Sequence, residues 1–181
     1  MAVKNNQRTI ITKMLLKQSL IELMHKKSIN SISIKEICEK AELNRSTFYL
    51  HYTDQIDLLS DIENEIIEQT KDYLQDSHLK SDTYLYIKTF LEYIKSNEDI
   101  FRTLLCQKDN ISFQTIFITK MLDHIKESIP FSGPAEIKKY VYCYVMQGSV
   151  HIIQEWINSD FDISSDVLAD TILTLCKKVT D

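Results

Sequence analysis

From Arg8 to Lys27 the apolar residues Ile11, Leu15, Leu16, Leu20, Leu23 and Met24 recur at helical spacing and predict a first amphipathic helix. Ser28–Ile29–Asn30–Ser31 interrupts it. Ser33 then stands where an N-cap belongs, with Glu36 three positions on as its capping-box partner. Ile34, Ile37, Cys38 and Ala41 supply the apolar face of a second helix of about two turns. Asn44 is another N-cap candidate, and Arg45 to Tyr52 reads as a short third helix. Past Thr53–Asp54, where Asp54 can cap the next element, the stripes lengthen. Ile56, Leu59, Ile62, Ile66 and Tyr73 predict a helix to about Asp76, and Tyr86, Phe90, Tyr93 and Ile94 another, opened by Ser81 or Asp82. A short helix capped by Asn97 ends near Cys106. Ile116, Met121, Leu122 and Ile125 mark a further helix over Ser112 to Ser128, before the turn bracketed by Pro130 and Pro134. A long apolar helix runs from Glu136 to Asn158, and Ser164/Ser165 cap a last one that carries the stripe Leu168, Ile172, Leu175 and Val179.

The expected fold class is therefore all-α, with about nine helices. Three short helices form an N-terminal head over residues 1–53. A long fourth helix joins it to a helical body over residues 54–181, with no Gly- or Pro-rich linker between them.

Composition narrows the chemistry. The 181 residues include two Gly and two Pro, where average usage gives roughly 13 and 9. So few chain-breakers exclude a turn-rich sandwich or barrel, and with the first Gly at Gly133 no phosphate-cradling glycine loop can form before it. Cys38, Cys106, Cys143 and Cys176 are scattered, without a CxxC pair or a His at metal-ligand spacing, so no metal and no cofactor is expected. They read as buried thiols of a reducing compartment. The polar start carries no signal-peptide pattern and no apolar run reaches the ~20 residues of a membrane span, so a cytoplasmic protein without membrane contact is expected. Neither a nucleophile–base pair nor a phosphate loop favours an enzyme.

Charge then separates the two ends. The whole chain carries −5, but residues 1–50 hold nine basic against four acidic residues, and the remainder twelve against twenty-two. A basic end on an acidic body suits a polyanion bound at one end. Two short helices joined by about three residues, after a longer first one, form the helix-turn-helix pattern, whose last helix enters the major groove of double-stranded DNA. On that helix Phe48 and Tyr52 fall together and can pack against Leu20, Ile34 and Ile37. Arg45, Ser46 and Tyr49 face outward, with Leu50 at the edge of that face. Arginine, hydroxyl and imidazole side chains suit phosphates and base edges.

The run from Ser33 to Tyr52, with Asp54 and Leu58–Leu59 after it, closely resembles the DNA-binding domain of TetR/AcrR-family repressors. Thr47–Phe48–Tyr49–Leu50–His51–Tyr52 is its most specific part. The resemblance implies a homodimer with a DNA-binding head and a body that binds an inducer and dimerises through its last two helices. It implies phosphate contacts for Thr47, Tyr49 and His51, base-edge proximity for Arg45 and Ser46, and backbone contacts for Ser33 and Lys35. Two positions depart from the pattern. Glu42 stands in the turn where the family has Gly, which predicts a left-handed residue at a cost on the order of 1 kcal/mol. Gln55 opens the fourth helix where Lys is frequent, which predicts fewer ionic contacts.

In the body, Val141, Val145, Gly148, Ile152 and Trp156 share one stripe of the penultimate helix, and Leu168, Ile172 and Leu175 share one of the last. Two such helices can pair with their symmetry mates, and Gly148 suggests close backbone approach. Tyr86, Phe90, Tyr93, Phe117 and Tyr144 are the expected lining of a pocket for a small-molecule inducer. The expected function is a repressor that binds a palindromic operator as a homodimer and is released by a ligand in the body. The alternative is a co-regulator of the same fold that acts through a protein partner.

Overall fold

The computed structural model describes residues 2–106 and 111–180, and it is all-helical over them. The ten helices are α1 (Ala2–Met24), α2 (Ile34–Lys40), α3 (Arg45–Tyr49), α4 (Gln55–Tyr73), α5 (Ser77–Ser81), α6 (Thr83–Ser96), α7 (Glu98–Cys106), α8 (Ile111–Ser128), α9 (Lys138–Asn158) and α10 (Ser165–Thr180). Short 3-10 turns at Ile29–Ser31 and Ala135–Ile137 precede α2 and α9. The element beyond the expected set is α5, whose only local signal is Asp76, which accepts from the His78 amide at 2.9 Å. Met121, Leu122 and Ile125 of α8 lie outside the residues whose side chains are described.

The chain forms two compact units, Met1–Ile66 and Ile67–Asp181, with the division inside α4. In the first unit Leu16, Leu20 and Met24 of α1, Ile37 of α2, Phe48 of α3 and Leu58 and Ile62 of α4 are buried together as one small apolar core. The caps that the sequence carries fix the helix starts. Asp54 accepts from the Ile56 and Asp57 amides at 2.9 Å, and Asp57 accepts in return from the Thr53 amide at 2.9 Å.

In the second unit α6 packs along α10, and α7, α8 and α10 pack on α9. Rings fill the space between them. Phe117 lies 5.8 Å from Phe90, 5.3 Å from Phe101 and 5.4 Å from Phe113, centroid to centroid. Asp82 caps α6 through the Leu85 amide. Lys88 of α6 meets Asp166 of α10 at 2.6 Å, and the Gln154 amide of α9 donates to the Leu105 carbonyl of α7 at 2.6 Å. No helix among the described residues is long and apolar enough to cross a membrane.

Candidate nucleic-acid interface

The site begins with the cap of α2. The Ser33 hydroxyl accepts from the Glu36 amide at 3.3 Å while Glu36 accepts from the Ser33 amide at 3.0 Å, the reciprocal box that the sequence predicts. Lys27 adds an ion pair to the other Glu36 oxygen at 2.5 Å. The Lys27 hydrogen bond first, then those from Ser33, hold the Glu36 carboxyl down at about 2. Ser33 is therefore engaged within the head, although its side is exposed.

The turn that launches α3 is a Schellman motif. The Leu43 amide donates to the Cys38 carbonyl at 2.9 Å and the Glu42 amide to the Glu39 carbonyl at 3.3 Å. Glu42 takes φ 55°, the left-handed conformation expected of the position. A carboxylate side chain thus occupies a place that glycine fills without steric cost. Asn44 holds the N-cap position in extended conformation but makes no side-chain capping bond.

α3 is one turn of helix, Arg45–Tyr49, continued by turn bonds from the His51 and Tyr52 amides to the Phe48 carbonyl. Phe48 is fully buried and Tyr52 nearly so. At 100° per residue, Ser46 and Leu50 centre the opposite face, with Arg45 and Tyr49 on one flank and Thr47 and His51 on the other. Tyr49 is 58% and Leu50 78% exposed; Arg45 and Ser46 are exposed, and Thr47 and His51 half-buried. The structure therefore brings Arg45, Ser46, Thr47, Tyr49 and His51 onto one presented turn. Lys35 is on the neighbouring helix, exposed and 3.6 Å from Glu39. Leu50 was legible only as a marginal residue of this face and proves the most exposed apolar side chain on it; a bare isobutyl group there suits a thymine methyl.

The charge picture changes with the fold. The compact first unit reaches Ile66 and so includes Asp54, Asp57, Asp61, Glu63 and Glu65, which brings nine carboxylates against its nine basic residues. Lys13, Lys17, Lys27, Lys35 and Lys40 are all in ion pairs within it. Among the described residues of this first unit, the exposed cations without an ion pair are Arg8, Lys26 and Arg45. Of these three, Arg45 alone stands on α3.

The body residues divide. Phe90 and Phe117 are fully buried in ring contact, Tyr86 is buried, and Tyr93 is half-buried 5.8 Å from Phe101. Burial pushes the Tyr86 hydroxyl up to about 12. Tyr144 does not join them: it lies on α9 and is 69% exposed. The reason is register, because the inner face of α9 is Met146, Val150, Ile153 and Ile157, and Tyr144 falls on the far side. A second correction concerns the expected dimer face. Trp156 is buried, donates from Nε1 to the Ile163 carbonyl at 2.8 Å and meets Phe161 edge-on at 4.7 Å, so it belongs to the core of its own chain. Leu168 is buried likewise, and Ile172 is buried at the floor of a groove. Val145, Gly148, Ile152 and Leu175 line that apolar groove of about 330 Å³, and Val141 is half-exposed beside it. Nothing lies within 4 Å of a Cβ added at Gly148, so the expected close approach is not made inside the chain.

Fold and site together define an all-helical protein with a helix-turn-helix head. Residues 81–178 match a TetR family model described as the transcriptional regulator C-terminal region. The chain belongs to the TetR family of transcriptional regulators. It is 30% identical over 125 residues to the dhaKLM operon transcriptional activator DhaS of Lactococcus lactis, a match covering 62% of this chain and 65% of DhaS. It is 27% identical over 104 residues to the HTH-type transcriptional regulator YxbF of Bacillus subtilis, covering 58% of this chain and 26% of YxbF. The chain thus spans less than two thirds of these relatives. The crystal structure of a TetR transcriptional regulator from Streptococcus agalactiae superposes with a TM-score of 0.80 at 17% identity, covering 97% of this chain and 99% of that one.

Proposed function

We propose that this chain is a DNA-binding regulator in which residues 1–53 form the DNA-binding domain and residues 54–181 the regulatory and dimerisation domain. It binds a palindromic operator as a homodimer. The exposed face of α3 supports this reading most directly: Arg45, Ser46, Tyr49 and Leu50 are held outward by a buried Phe48 and a Schellman turn. Thr47, His51, Ser33 and Lys35 contact the flanking phosphates.

The second copy joins through α9 and α10. Tyr140 is 64% and Leu175 45% exposed, and with Tyr144, Val145, Gly148 and Ile152 they leave a large apolar surface uncovered on this unit. A two-fold pair there presents two α3 helices to half-sites about 34 Å apart. A small molecule held among the body helices releases the operator, which makes the protein a repressor.

A second reading has an observation of its own. DhaS, the 30% identical relative, is named an activator. The same fold then acts positively on transcription. Gel shifts on the DNA upstream of the chain's own gene test the common part. A complex that weakens steeply with salt is expected; absence of any shift at low salt overturns the DNA-binding reading. Reporter expression after gene deletion separates the signs: it rises for a repressor and falls for an activator.

A further inference from the structure

We propose that Asp61 is a positioning residue for the DNA-contact helix: its carboxylate fixes Tyr52, and through Tyr52 and Phe48 the exposed face of α3. The inference rests on the reading of α3 as the DNA contact. Asp61 lies in the first half of α4, and one of its oxygens gathers three donors. The Tyr52 hydroxyl donates to Oδ2 at 2.7 Å, with Lys17 Nζ at 3.0 Å and Lys13 Nζ at 3.4 Å. Lys17 reaches on to Glu65 at 2.5 Å, and Lys13 Nζ also stands 5.2 Å from the centre of the Tyr52 ring. Residues of α1, of α4 and of the turn that closes α3 therefore converge on one atom.

The convergence matters because α3 cannot hold its own place. It is five residues long, and its N-cap makes no side-chain bond. A helix that short is not stable by its own hydrogen bonds. Its position is set before it by the Schellman turn and behind it by Phe48 and Tyr52. The Tyr52 ring lies 5.8 Å from that of Phe48, and Phe48 lies 5.7 Å from Tyr49. A close-packed interior transmits a displacement of Tyr52 along this row to Tyr49 on the presented face. A buried phenol also needs an acceptor, and a carboxylate gives a shorter and stronger bond than a neutral one. Burial first, and then this bond, drive the Tyr52 hydroxyl far above its ordinary value. Burial opposes the ionisation of Asp61, and the Tyr52 hydrogen bond and the two lysines outweigh it.

Tyr52→Phe isolates the effect, since the ring stays and only the hydroxyl leaves. The operator affinity of Tyr52→Phe, assayed where circular dichroism shows it fully folded, should fall about tenfold. Asp61→Asn, which keeps an acceptor for Tyr52, should retain more affinity than Asp61→Leu. Amide exchange in the DNA-free protein should quicken over residues 45–52 in Tyr52→Phe and stay unchanged over α9 and α10. Affinity within about twofold of the parent for fully folded Tyr52→Phe would overturn the proposal. So would unchanged exchange over residues 45–52. If the parent protein shifts no DNA, the contact reading of α3 falls, and the exchange measurement still decides whether Asp61 positions that helix.

Discussion

The two units solve the problem of small apolar cores in different ways, and their surfaces differ accordingly. The first holds short helices in place with polar devices: the Ser33–Glu36 box, the Asp54–Asp57 cap, the Schellman turn at Glu42, and the lysines of α1 paired to Asp61 and Glu65. The second fills its interior with rings, with Phe90, Phe101 and Phe113 each against Phe117. What each leaves outside follows the same division. The first presents Arg45, Ser46 and Tyr49, groups that can exchange water for phosphate and base edges. The second presents Tyr140, Tyr144, Val167 and Leu175, side chains with apolar area left in water. The first unit thus shows a polar and cationic face on α3, and the second an apolar one along α9 and α10.

The contrast can be broken most severely at Phe48. Phe48→Ala removes a fully buried ring from a core with few others, and should cost about 3–5 kcal/mol of stability. Thermal unfolding followed by circular dichroism checks it; a melting curve like the parent's would mean that α3 is not anchored from inside. The next effect belongs to the other face. Leu175→Glu places a charge in the groove beside Gly148 and, if that groove is covered by a second copy, should weaken association by about 3 kcal/mol or more. Sedimentation analysis should show monomers at concentrations where the parent is dimeric, and an unchanged assembly state would move the interface elsewhere.

A smaller change sharpens the account of the turn. Glu42→Gly relieves a left-handed residue and should raise stability by about 1 kcal/mol without altering DNA affinity. Chemical denaturation reads it as a higher midpoint at unchanged slope. The smallest effect is that of pH on the exposed cap. Lys27 first, then Ser33, lower the Glu36 carboxyl from 4.5 to about 2. A group whose folded value lies below its unfolded one contributes stability above the unfolded value. That contribution is lost as pH falls from 4.5 toward about 2. The head of Glu36→Gln should therefore lose less stability than the parent's on acidification over that interval, and parallel curves would contradict the assignment. Salt should blunt the difference, because the group is exposed.

Local signals in the chain carried further than long-range ones. Ser33 with Glu36, Asp54 and Asp82 mark helix starts because a cap depends on three or four neighbouring residues. Glu42 was legible as left-handed only through the resemblance, which has Gly at that place in the turn. Phe48 and Tyr52 were legible as inward from helical spacing, which leaves Arg45, Ser46 and Tyr49 outward by elimination. In the body the same spacing gave stripes without saying what each one meets. Trp156 and Leu168 look like interface residues by periodicity, yet they pack within their own chain, while Leu175 on a shared stripe with Leu168 stays exposed. Tyr144 could not be separated from the core aromatics until the register of α9 against its neighbours was fixed. Asp61 gave no signal at all, since its meaning lies in Lys13, Lys17 and Tyr52, which only the fold brings to it. The charge of residues 1–50 misled in the same way, because five of the nine carboxylates of the compact first unit stand beyond residue 50.

The central claim is that the outward face of α3 holds DNA and does so in two copies. Fluorescence anisotropy on a labelled duplex from the region upstream of the gene, comparing the parent with Arg45→Ala/Tyr49→Ala, tests it most directly. The account predicts a salt-sensitive complex of two protomers per duplex, weakened by roughly hundredfold or more in the double variant at unchanged melting temperature. Equal affinity of the two proteins for that duplex would contradict it.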